Sequence, residues 1–490
     1  MAEEKKEERR SEKVTFNIDK ENNFSDWYSD ILQKAEVTDL RYNVKGFVVV
    51  RPWGALMIEK MYKAYEKELQ ENKHLPVFFP AVIPEENFKK EASHVEGFTP
   101  QVFWLKEIGD EKLALRPTSE TAFYQLYSLW IHGYKDLPLK LYQRANVFRY
   151  ETKTTRPLIR AREFYWIETH NAFATKKEAE TQVQEDIKMT EKIMHQIFLV
   201  PFLAMKRPEW DKFPGAEYTI GSDTIMPDGK VIQQPSTHLL GQHFSKAFDI
   251  TFLNNDGKKE YVWQTCYGPA ISRILSSVIA IHGDNNGLII PFSISPIQAV
   301  IVPIYNEKNK KKIEKEVEKL KEILKNSGID CIADLSEKRP GEKFYFWEMK
   351  GIPLRIEIGE KEFGKKEATI FLRDIKERIK CKTARISEEI KGLGKEFDAR
   401  LLKKADKMFN ESIKDCRTKE EIKKALENKK IARINFCSVE KNGEECAEYV
   451  EKELLARVMG TKANKKEKTR GRCIVCGKKA NEIVYVAKSY

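Results

Sequence analysis

The chain has 490 residues, a formal net charge of +12 and a sequence pI near 9.0. At roughly 100 to 200 residues per domain, this length predicts about three domains. Hydrophobic residues make up 41% of the chain, which provides a core for each domain and excludes a wholly disordered or fibrous protein. The basic surplus is concentrated, because nine Lys or Arg residues against two Glu residues give residues 461–490 a charge of +7. Such a concentration suits a polyanionic partner.

The N-terminal residues 1–22 carry charges of both signs and no apolar core, so they predict a disordered tail rather than a signal or transit peptide. One uncharged stretch, between Asp284 and Glu307, imitates a membrane span, but three prolines interrupt it. Two buried strands joined by a proline-marked linker fit this stretch better than a helix. The chain is therefore expected to be cytoplasmic, with no membrane partner.

After the tail, the sequence alternates between helix patterns and strand patterns. Residues 56–69 have the apolar spacing of a helix, and the compact apolar run at 75–83 predicts a strand that ends near Pro80. After the proline-rich junction, the sequence predicts strands at 297–302, 329–333, 354–358 and 369–372, with helices at 308–326 and around 344–349. These elements indicate an alternating α/β domain over 296–401. The remaining residues, 402–490, begin as a helix and end in a cysteine cluster.

Residues 137–173 carry the most informative pattern. They predict two strands, at 139–151 and 162–171, joined by a loop of Thr, Lys, Arg and Pro. Strand alternation places Arg149 and Glu151 on one face of the first strand. It places these residues on one face of the second strand: Phe164, Trp166, Glu168 and His170. A pocket for a flat base and a charged amine needs aromatic rings beside ionisable groups, although a polar, solvated sheet face stays open as an alternative.

Four cysteines near the end of the chain have the spacing of a metal site: Cys437, Cys446, Cys473 and Cys476. Four thiolates make a tetrahedral zinc site that is closed and therefore structural. A redox CxxC beside two unrelated buried cysteines is the alternative. The other four cysteines have no partner spacing and are expected to be ordinary thiols: Cys266, Cys331, Cys381 and Cys416.

Several strings resemble a known family. Residues 148–151 and 160–164 look like the second signature motif of class II aminoacyl-tRNA synthetases, the helix and strand up to Pro80 look like the first, and residues 268–273 look like the third. The third string has one residue more than the motif often has. The strings at 116–120, 206–217, 238–242 and 282–284 resemble prolyl-tRNA synthetases of the archaeal and eukaryotic type. The resemblance extends over residues 24–490.

The resemblance implies an α+β protein with a class II antiparallel-sheet catalytic domain (23–295), an α/β anticodon-binding domain (296–401) and a small α/β C-terminal zinc-binding domain (402–490). It also implies an enzyme that activates L-proline with ATP and Mg²⁺, transfers proline to the 3′ end of tRNA(Pro) and forms a homodimer through the first motif. Only 108 residues lie between Phe164 and Arg273, too few for the editing insert of the bacterial type.

The resemblance assigns residues to two substrates. For ATP, Arg149 would contact the α-phosphate and Arg273 the far phosphate, while Phe164 would stack on adenine and Glu151 would accept from its amino group. The other residues expected at ATP are Arg160, Ala161, Gln233 and Ser236, of which the last takes a place often held by Thr. The residues expected at proline are Thr118, Glu120, Arg149, Trp166, Glu168, His170 and His238. Residues 117–120 also fit a simple helix N-cap with a first-turn acid.

In the α/β domain the resemblance suggests four contacts to anticodon bases or phosphates, each of which is otherwise a plain surface charge: Arg339, Glu342, Lys343 and Arg373. Two other functions remain open. One is another class IIa synthetase, for threonine, serine or histidine, although the zinc ligands of a threonine enzyme are missing from the motifs. The other is a tRNA-binding paralogue without catalysis, which usually lacks one of the ATP arginines.

Overall fold

The structure is a computed structural model that describes residues 18–90, 102–106, 111–152 and 154–490. Most of the expected N-terminal tail, residues 1–17, lies outside the described residues. The part of the tail that is described contacts the folded chain, because the Lys20 ammonium donates to the main-chain oxygen of Gly283 at 2.6 Å.

The first part of the chain contains seven α-helices among its described residues: α1 (Phe24–Lys34), α2 (Pro52–Glu71), α3 (Glu85–Lys89), α4 (Glu120–Trp130), α5 (Lys176–Thr190), α6 (His243–Ala247) and α7 (Ile271–His282). A π-helical segment, Glu191–Ile197, continues α5. The strands are β1 (Thr38–Asp39), β2 (Val49–Val50), β3 (Leu75–Pro76), β4 (Val82–Pro84), β5 (Phe103–Trp104), β6 (Leu113–Leu115), β7 (Leu139–Phe148), β8 (Glu163–Phe173), β9 (Leu203–Lys206), β10 (Tyr218–Ile225), β11 (Lys230–Gly241), β12 (Thr251–Leu253), β13 (Lys259–Tyr261) and β14 (Trp263–Gly268).

The centre of this part is an antiparallel sheet in the order β9-β10-β11-β14-β8-β7, with β3 parallel to β7 at its edge. The expected α+β class with an antiparallel catalytic sheet is confirmed. Residues between Phe164 and Arg273 are all described and build β8 to β14 with their packed helices, so this stretch contains no separate inserted domain.

Helix α2 packs behind the sheet because its sequence has a continuous apolar stripe. Pro52 occupies the first turn, where a missing amide proton costs no hydrogen bond. Met57, Met61, Tyr65 and Leu69 recur every fourth residue and are all buried. They join one core with residues of α1 and α7, so α7, whose first turn reaches the pocket described below, rests on α2.

The second part is the predicted α/β domain. It contains β15 (Ala299–Pro303), α8 (Lys310–Asn326), β16 (Cys331–Ala333), α9 (Pro340–Met349), β17 (Leu354–Ile358), α10 (Glu360–Lys365), β18 (Glu367–Leu372) and β19 (Arg378–Lys382). Its sheet has the order β16-β15-β17-β18-β19, parallel over the first three strands and antiparallel thereafter. The stripe expected on α8 is buried as a unit, at Ile313, Val317, Leu320 and Leu324.

The last part contains α11 (Ile386–Glu411), β20 (Ile413–Asp415), α12 (Lys419–Glu427), β21 (Ile431–Phe436), α13 (Glu444–Leu454), β22 (Arg457–Lys462) and β23 (Glu482–Ser489). Its strands extend the catalytic sheet, because β22 pairs with β9 and β23 pairs with both β22 and β11. Gly460 allows β22 to pair with β9. It has φ +122°, and a side chain there would meet the main-chain oxygen of Lys206 at 2.0 Å.

Two expectations about elements were wrong, and one expected domain boundary falls within a helix. The run at 75–83 is two short strands, because Pro76 and Pro80 cannot donate to a ladder. The uncharged stretch after Asp284 has one strand, β15, since residues 288–290 are extended but bond only to the end of α9 and the glycine after it. The boundary expected at 401/402 falls inside α11, whose buried face is continuous from Ile390 to Phe409.

Two of the four charged residues suggested for RNA contact are buried. Arg373 is 1% exposed and pairs with both carboxylate oxygens of Asp284, at 2.6 and 2.9 Å. Lys343 is 2% exposed and donates to the main-chain oxygen of Asp334 at 2.8 Å. Arg373 therefore links the α/β domain to the end of α7, and neither residue is available at the surface.

No helix among the described residues is long and apolar enough to cross a membrane.

Candidate active site

The strand that leads into the site ends earlier than expected. β7 stops at Phe148, and the Glu151 amide donates to the main-chain oxygen of Arg149 at 2.7 Å in a tight turn. Arg149 and Glu151 therefore share a turn, not the face of a strand, because the chain must bend there to return along β8. The Arg149 amide still bonds across to Arg162 at 2.9 Å, which keeps the turn attached to the sheet.

Two arginines flank one aromatic ring, and a third, Arg160, lies close enough to Arg273 to affect its charge. The Arg149 guanidinium lies 5.3 Å from the ring centroid of Phe164, and that of Arg273, on the first turn of α7, lies 5.9 Å away. Burial, together with the charges of Arg149 and Arg160, lowers the pKa of Arg273 to about 10. Burial also lowers the pKa of Arg149. The nearby carboxylate, Glu151, stands 4.0 Å from the Nε of Arg160, so the pocket has an excess of positive charge that a polyanion would relieve.

A cavity of about 140 Å³ adjoins these arginines. It is lined by the side chains of Arg160, Arg273 and the exposed Gln233, together with residues from the end of the chain. Arg160 donates from Nη2 to the main-chain oxygen of Tyr490 at 2.6 Å. The C-terminal part of the chain is therefore a wall of this pocket. Ala161, half-buried, follows Arg160 in the chain and leads into β8.

A second cluster lies further along β8 and is acidic. Glu168, 2% exposed, accepts from the Ser119 amide at 3.2 Å, from Gln143 Nε2 at 2.7 Å and from His170 Nε2 at 3.2 Å. Burial alone would raise the pKa of Glu168, but the donors from His170, Ser119 and Gln143 outweigh it and lower this pKa to about 2. Glu168 therefore remains a buried carboxylate at neutral pH.

The segment before α4 completes this cluster. The hydroxyl of Thr118 bonds to the carboxylate of Glu120, and lies 3.5 Å from Glu168. Ser119 is the N-cap of α4, yet its side chain accepts no helix amide. The simple capping role considered for residues 117–120 is thus incomplete, because the hydroxyls face carboxylates and not the free amides of the helix.

The ligand atoms of Glu120, Glu168 and His170 all lie within 4.8 Å of one another. These residues suit a cation, either a metal ion or an organic ammonium. The tautomer of His170 is set by its neighbours: a carboxylate can only accept, so Nε2 carries the proton, and Nδ1 lies 3.4 Å from the hydroxyl of Tyr124.

Apolar walls close the acidic cluster. The Trp166 ring lies against Gly268, where an added Cβ would be 2.3 Å from the indole, so only glycine fits. Burial, then the positive charge of Arg207, lowers the pKa of His238 to about 3, which keeps the imidazole neutral. Its ring stands 4.6 Å from that of Phe213. Ser236 lies 3.0 Å from His238 Nε2 and opposite Gly268 on the neighbouring strand.

Three residues in the site have no role in the sequence-based prediction. Ser119 lies inside the string 116–120, and Gln143 shares the inward face of β7, so alternation could have found both. Cys266 was expected to be an ordinary thiol, but it lies between His170 and His238 in adjacent strands. Burial and the nearby Glu120 raise the pKa of this thiol. Only the strand register identifies this position.

The four cysteines also come together. Cys437 and Cys446 have their sulfur atoms 3.6 Å apart, and the four sulfurs all lie within 4.8 Å of one another. The Gly477 amide bonds to the main-chain oxygen of Cys473 at 3.0 Å in a turn with φ +70° at Gly477. A tetrahedron with metal–sulfur distances of about 2.3 Å has sulfur atoms about 3.8 Å apart, so the cluster has the size of a zinc site.

Comparison with known proteins matches every domain. Residues 103–282 match a family model described as tRNA synthetase class II core domain (G, H, P, S and T), residues 298–393 match an anticodon binding domain, and residues 419–490 match a prolyl-tRNA synthetase C-terminal domain. The proline–tRNA ligase of Thermofilum pendens is 48% identical over 480 residues, covering 96% of this chain and 98% of that protein. The ligase of Methanopyrus kandleri is 41% identical, covering 95% of this chain and 96% of that protein.

A solved structure agrees with these sequences. The Giardia lamblia prolyl-tRNA synthetase in complex with prolyl-adenylate superimposes with a TM-score of 0.92 at 35% identity, covering 97% of this chain and 100% of that one. The chain belongs to the proline–tRNA ligase family of class II aminoacyl-tRNA synthetases.

Proposed function

We propose that the chain activates L-proline with ATP and then transfers proline to the 3′-terminal ribose of tRNA(Pro). The observation that carries this proposal is the pairing of two oppositely charged subsites along one strand. Arg149 and Arg273 flank Phe164, with Arg160 beside Arg273, and the buried acid Glu168 follows Phe164 by four residues. The phosphates of a nucleoside triphosphate need the positive subsite, and the ammonium group of an amino acid needs the acidic subsite beside it.

ATP would occupy the positive subsite. Phe164 would stack on adenine, and Glu151 would accept from its amino group. Arg149 would hold the α-phosphate and Arg273 the far phosphate, since planar guanidinium groups suit phosphate oxygens. The remaining contacts would come from Arg160, Ala161, Gln233 and Ser236.

Proline would occupy the acidic subsite. Its secondary ammonium would lie between Thr118, Glu120 and Glu168, which are buried and carry acceptor oxygens. The proline ring would rest against three rings: Trp166, His170 and His238. The low pKa of His238 supports this placement, because a neutral imidazole beside an ammonium ion avoids repulsion between like charges.

The chemistry follows from this arrangement. An oxygen of the proline carboxylate attacks the α-phosphorus, the bond to the bridging oxygen breaks, and diphosphate leaves with the electron pair. The 3′-terminal ribose hydroxyl of the tRNA then attacks the prolyl carbonyl, and AMP leaves. The Arg149 guanidinium lies 5.3 Å from Phe164 and 5.9 Å from Trp166, and in this proposal it would contact both the carboxylate and the α-phosphate. Fixed positive charge at this point stabilises the transition state.

Two metals are part of the proposal. Mg²⁺ prefers oxygen ligands, and the side-chain oxygens of Gln233 and Ser236 would hold it; the ion would neutralise charge on the leaving diphosphate. Zn²⁺ would be held by Cys437, Cys446, Cys473 and Cys476. Four thiolates leave no open position, so the zinc would be structural.

A homodimer is proposed from the surface around α2. Exposed apolar side chains gather there, including Leu56 at 50%, Leu75 at 62% and Phe78 at 85%. A groove of about 490 Å³ beside them is lined by Ile58 and Tyr62 among others. A second copy of this chain would cover these side chains. Sedimentation of wild type and Phe78→Asp tests this: we expect a dimer that the substitution weakens.

We also propose four segments: a tail at 1–22 and three domains at 23–295, 296–401 and 402–490. Helix α11 crosses the last limit, so the last two domains share it. A ligase of this kind acts where its tRNA is, so the cytoplasm is the proposed compartment.

Pyrophosphate exchange across the twenty amino acids tests the function. We expect a peak at proline; a peak at another amino acid, or no exchange at all, contradicts the proposal. Arg149→Ala should lower the exchange rate by at least about a hundredfold, as expected when a charge-stabilising donor is removed. Lys140→Ala removes a cation from β7, the strand that leads into the turn of Arg149; Lys140 pairs with Glu185 at 3.4 Å, and this variant should exchange normally.

A further inference from the structure

Residues 465–470 and the hairpin that follows them, which carries the last two cysteines, present an unpaired positive surface. Its side chains are exposed and form what we call the basic hairpin surface: Lys465, Lys466, Lys468, Arg470, Lys478 and Lys479. Among the described residues, none of these six has a carboxylate within 4.0 Å. A solvated surface of a folded protein usually mixes both signs, so this surface differs from its surroundings.

One acidic residue, Glu467, lies among these cations in the sequence, but it does not neutralise the surface. The Glu467 side chain is 13% exposed and turns inward to Arg433 at 3.0 Å and to the hydroxyl of Tyr485 at 3.0 Å. The outward side is left with cations only. Charge complementarity therefore selects a polyanion, and the closely spaced phosphates of a nucleic acid suit such a surface.

The surface is also tied to the active-site pocket. Arg457 and Met459 of β22 line the cavity beside Arg273, and the main-chain oxygen of Met459 accepts from Arg207 at 2.9 Å. The Ala463 amide then bonds to Ala204 at 2.9 Å, which anchors the start of the basic run on the catalytic sheet. Lys466 follows Met459 by seven residues, so it lies within about 25 Å of the pocket wall at full extension of the chain.

We propose that the basic hairpin surface binds phosphates of the acceptor arm of the tRNA. This inference rests on the proposed function, since an RNA whose 3′ end enters the pocket brings its terminal helix to within reach of Lys465 and Lys466. The contacts are to phosphates and carry no sequence information. They hold the arm while its end is charged.

The test uses the full chain and a hairpin RNA that reproduces only the acceptor arm of tRNA(Pro), so the anticodon makes no contribution. The variant replaces Lys465, Lys466 and Lys468 by Glu, and a second variant replaces them by Gln, which removes charge without adding repulsion. The matched control replaces three exposed lysines of α11 by Glu: Lys391, Lys395 and Lys403.

We expect both variants to raise KM for the hairpin RNA and to reduce the slope of log KM against log salt by about 2 to 3, one unit for each phosphate that the protein no longer neutralises. The control should keep the wild-type slope, and all three proteins should keep proline-dependent pyrophosphate exchange. An unchanged slope in the Gln variant overturns the proposal. Weaker binding of whole tRNA with unchanged binding of the hairpin also overturns it. Absence of exchange in the wild type would instead refute the proposed function.

Discussion

Replacing Glu168 by Gln isolates the charge that would hold the proline ammonium. The carboxylate is buried and accepts from Ser119, Gln143 and His170, and its pKa near 2 keeps it ionised. Gln has the same shape but no charge, and its amide nitrogen would face one of these donors. Removing one member of a buried charged pair costs about 2 to 5 kcal/mol. At about 1.4 kcal/mol per factor of ten, KM for proline should rise at least about thirtyfold.

Pyrophosphate exchange at varied proline, with ATP saturating, measures this effect. The control is Glu163→Gln on the same strand, because Glu163 points to the other face and accepts from Asn146 at 2.8 Å. We expect KM for ATP to stay within about twofold in both variants, since neither changes the three arginines. A wild-type KM for proline in the Glu168 variant would show that the acid does not face the substrate ammonium, and the two-subsite reasoning would be wrong.

Three further predictions concern other parts of the molecule. Gly268→Ala places a Cβ 2.3 Å from the Trp166 ring. Overpacking should lower the free energy of unfolding by about 1 to 3 kcal/mol, as measured by urea denaturation, and an unchanged free energy would contradict the contact. Burial raises the pKa of Asp186 to about 7, so the folded chain binds a proton that the unfolded chain loses near pH 4, and stability falls as the pH rises from about 4 to 7. Asp186→Asn should remove this fall, so urea midpoints of the two proteins should diverge between pH 5 and pH 8; a constant difference would refute the assignment. Purified protein should contain one zinc per chain by elemental analysis, and Cys473→Ser should lose it together with stability of the last domain; metal-free wild type would remove the zinc proposal.

Local pattern predicted those elements whose partners are close in sequence. The stripe on α8 became a buried helix face, and strand alternation correctly placed Phe164, Trp166, Glu168 and His170 on one side of β8. These predictions succeed because a period of four or of two follows from backbone geometry alone. The strand at 75–83 failed because two prolines interrupt hydrogen bonding, which apolar content does not reveal.

The rest of the site depends on distant pairings that no spacing encodes. Cys266 reaches the acidic cluster through the register of β14 with β8 and β11. Arg373 looked like a surface charge, but the packing of the α/β domain buries it against Asp284. Such contacts follow from the assembled sheet, so a single sequence cannot reveal them.

The catalytic sheet is completed by strands made at the other end of the chain. During synthesis, β9 and β11 emerge long before β22 and β23, which pair with their edges. A ribosome-bound chain that has folded its first two domains therefore has an open pocket, without the wall that Met459 and Tyr490 provide. Tight substrate binding would begin only after the last strands dock, and a chain cut short before β22 would fold its catalytic core but lack a finished nucleotide pocket.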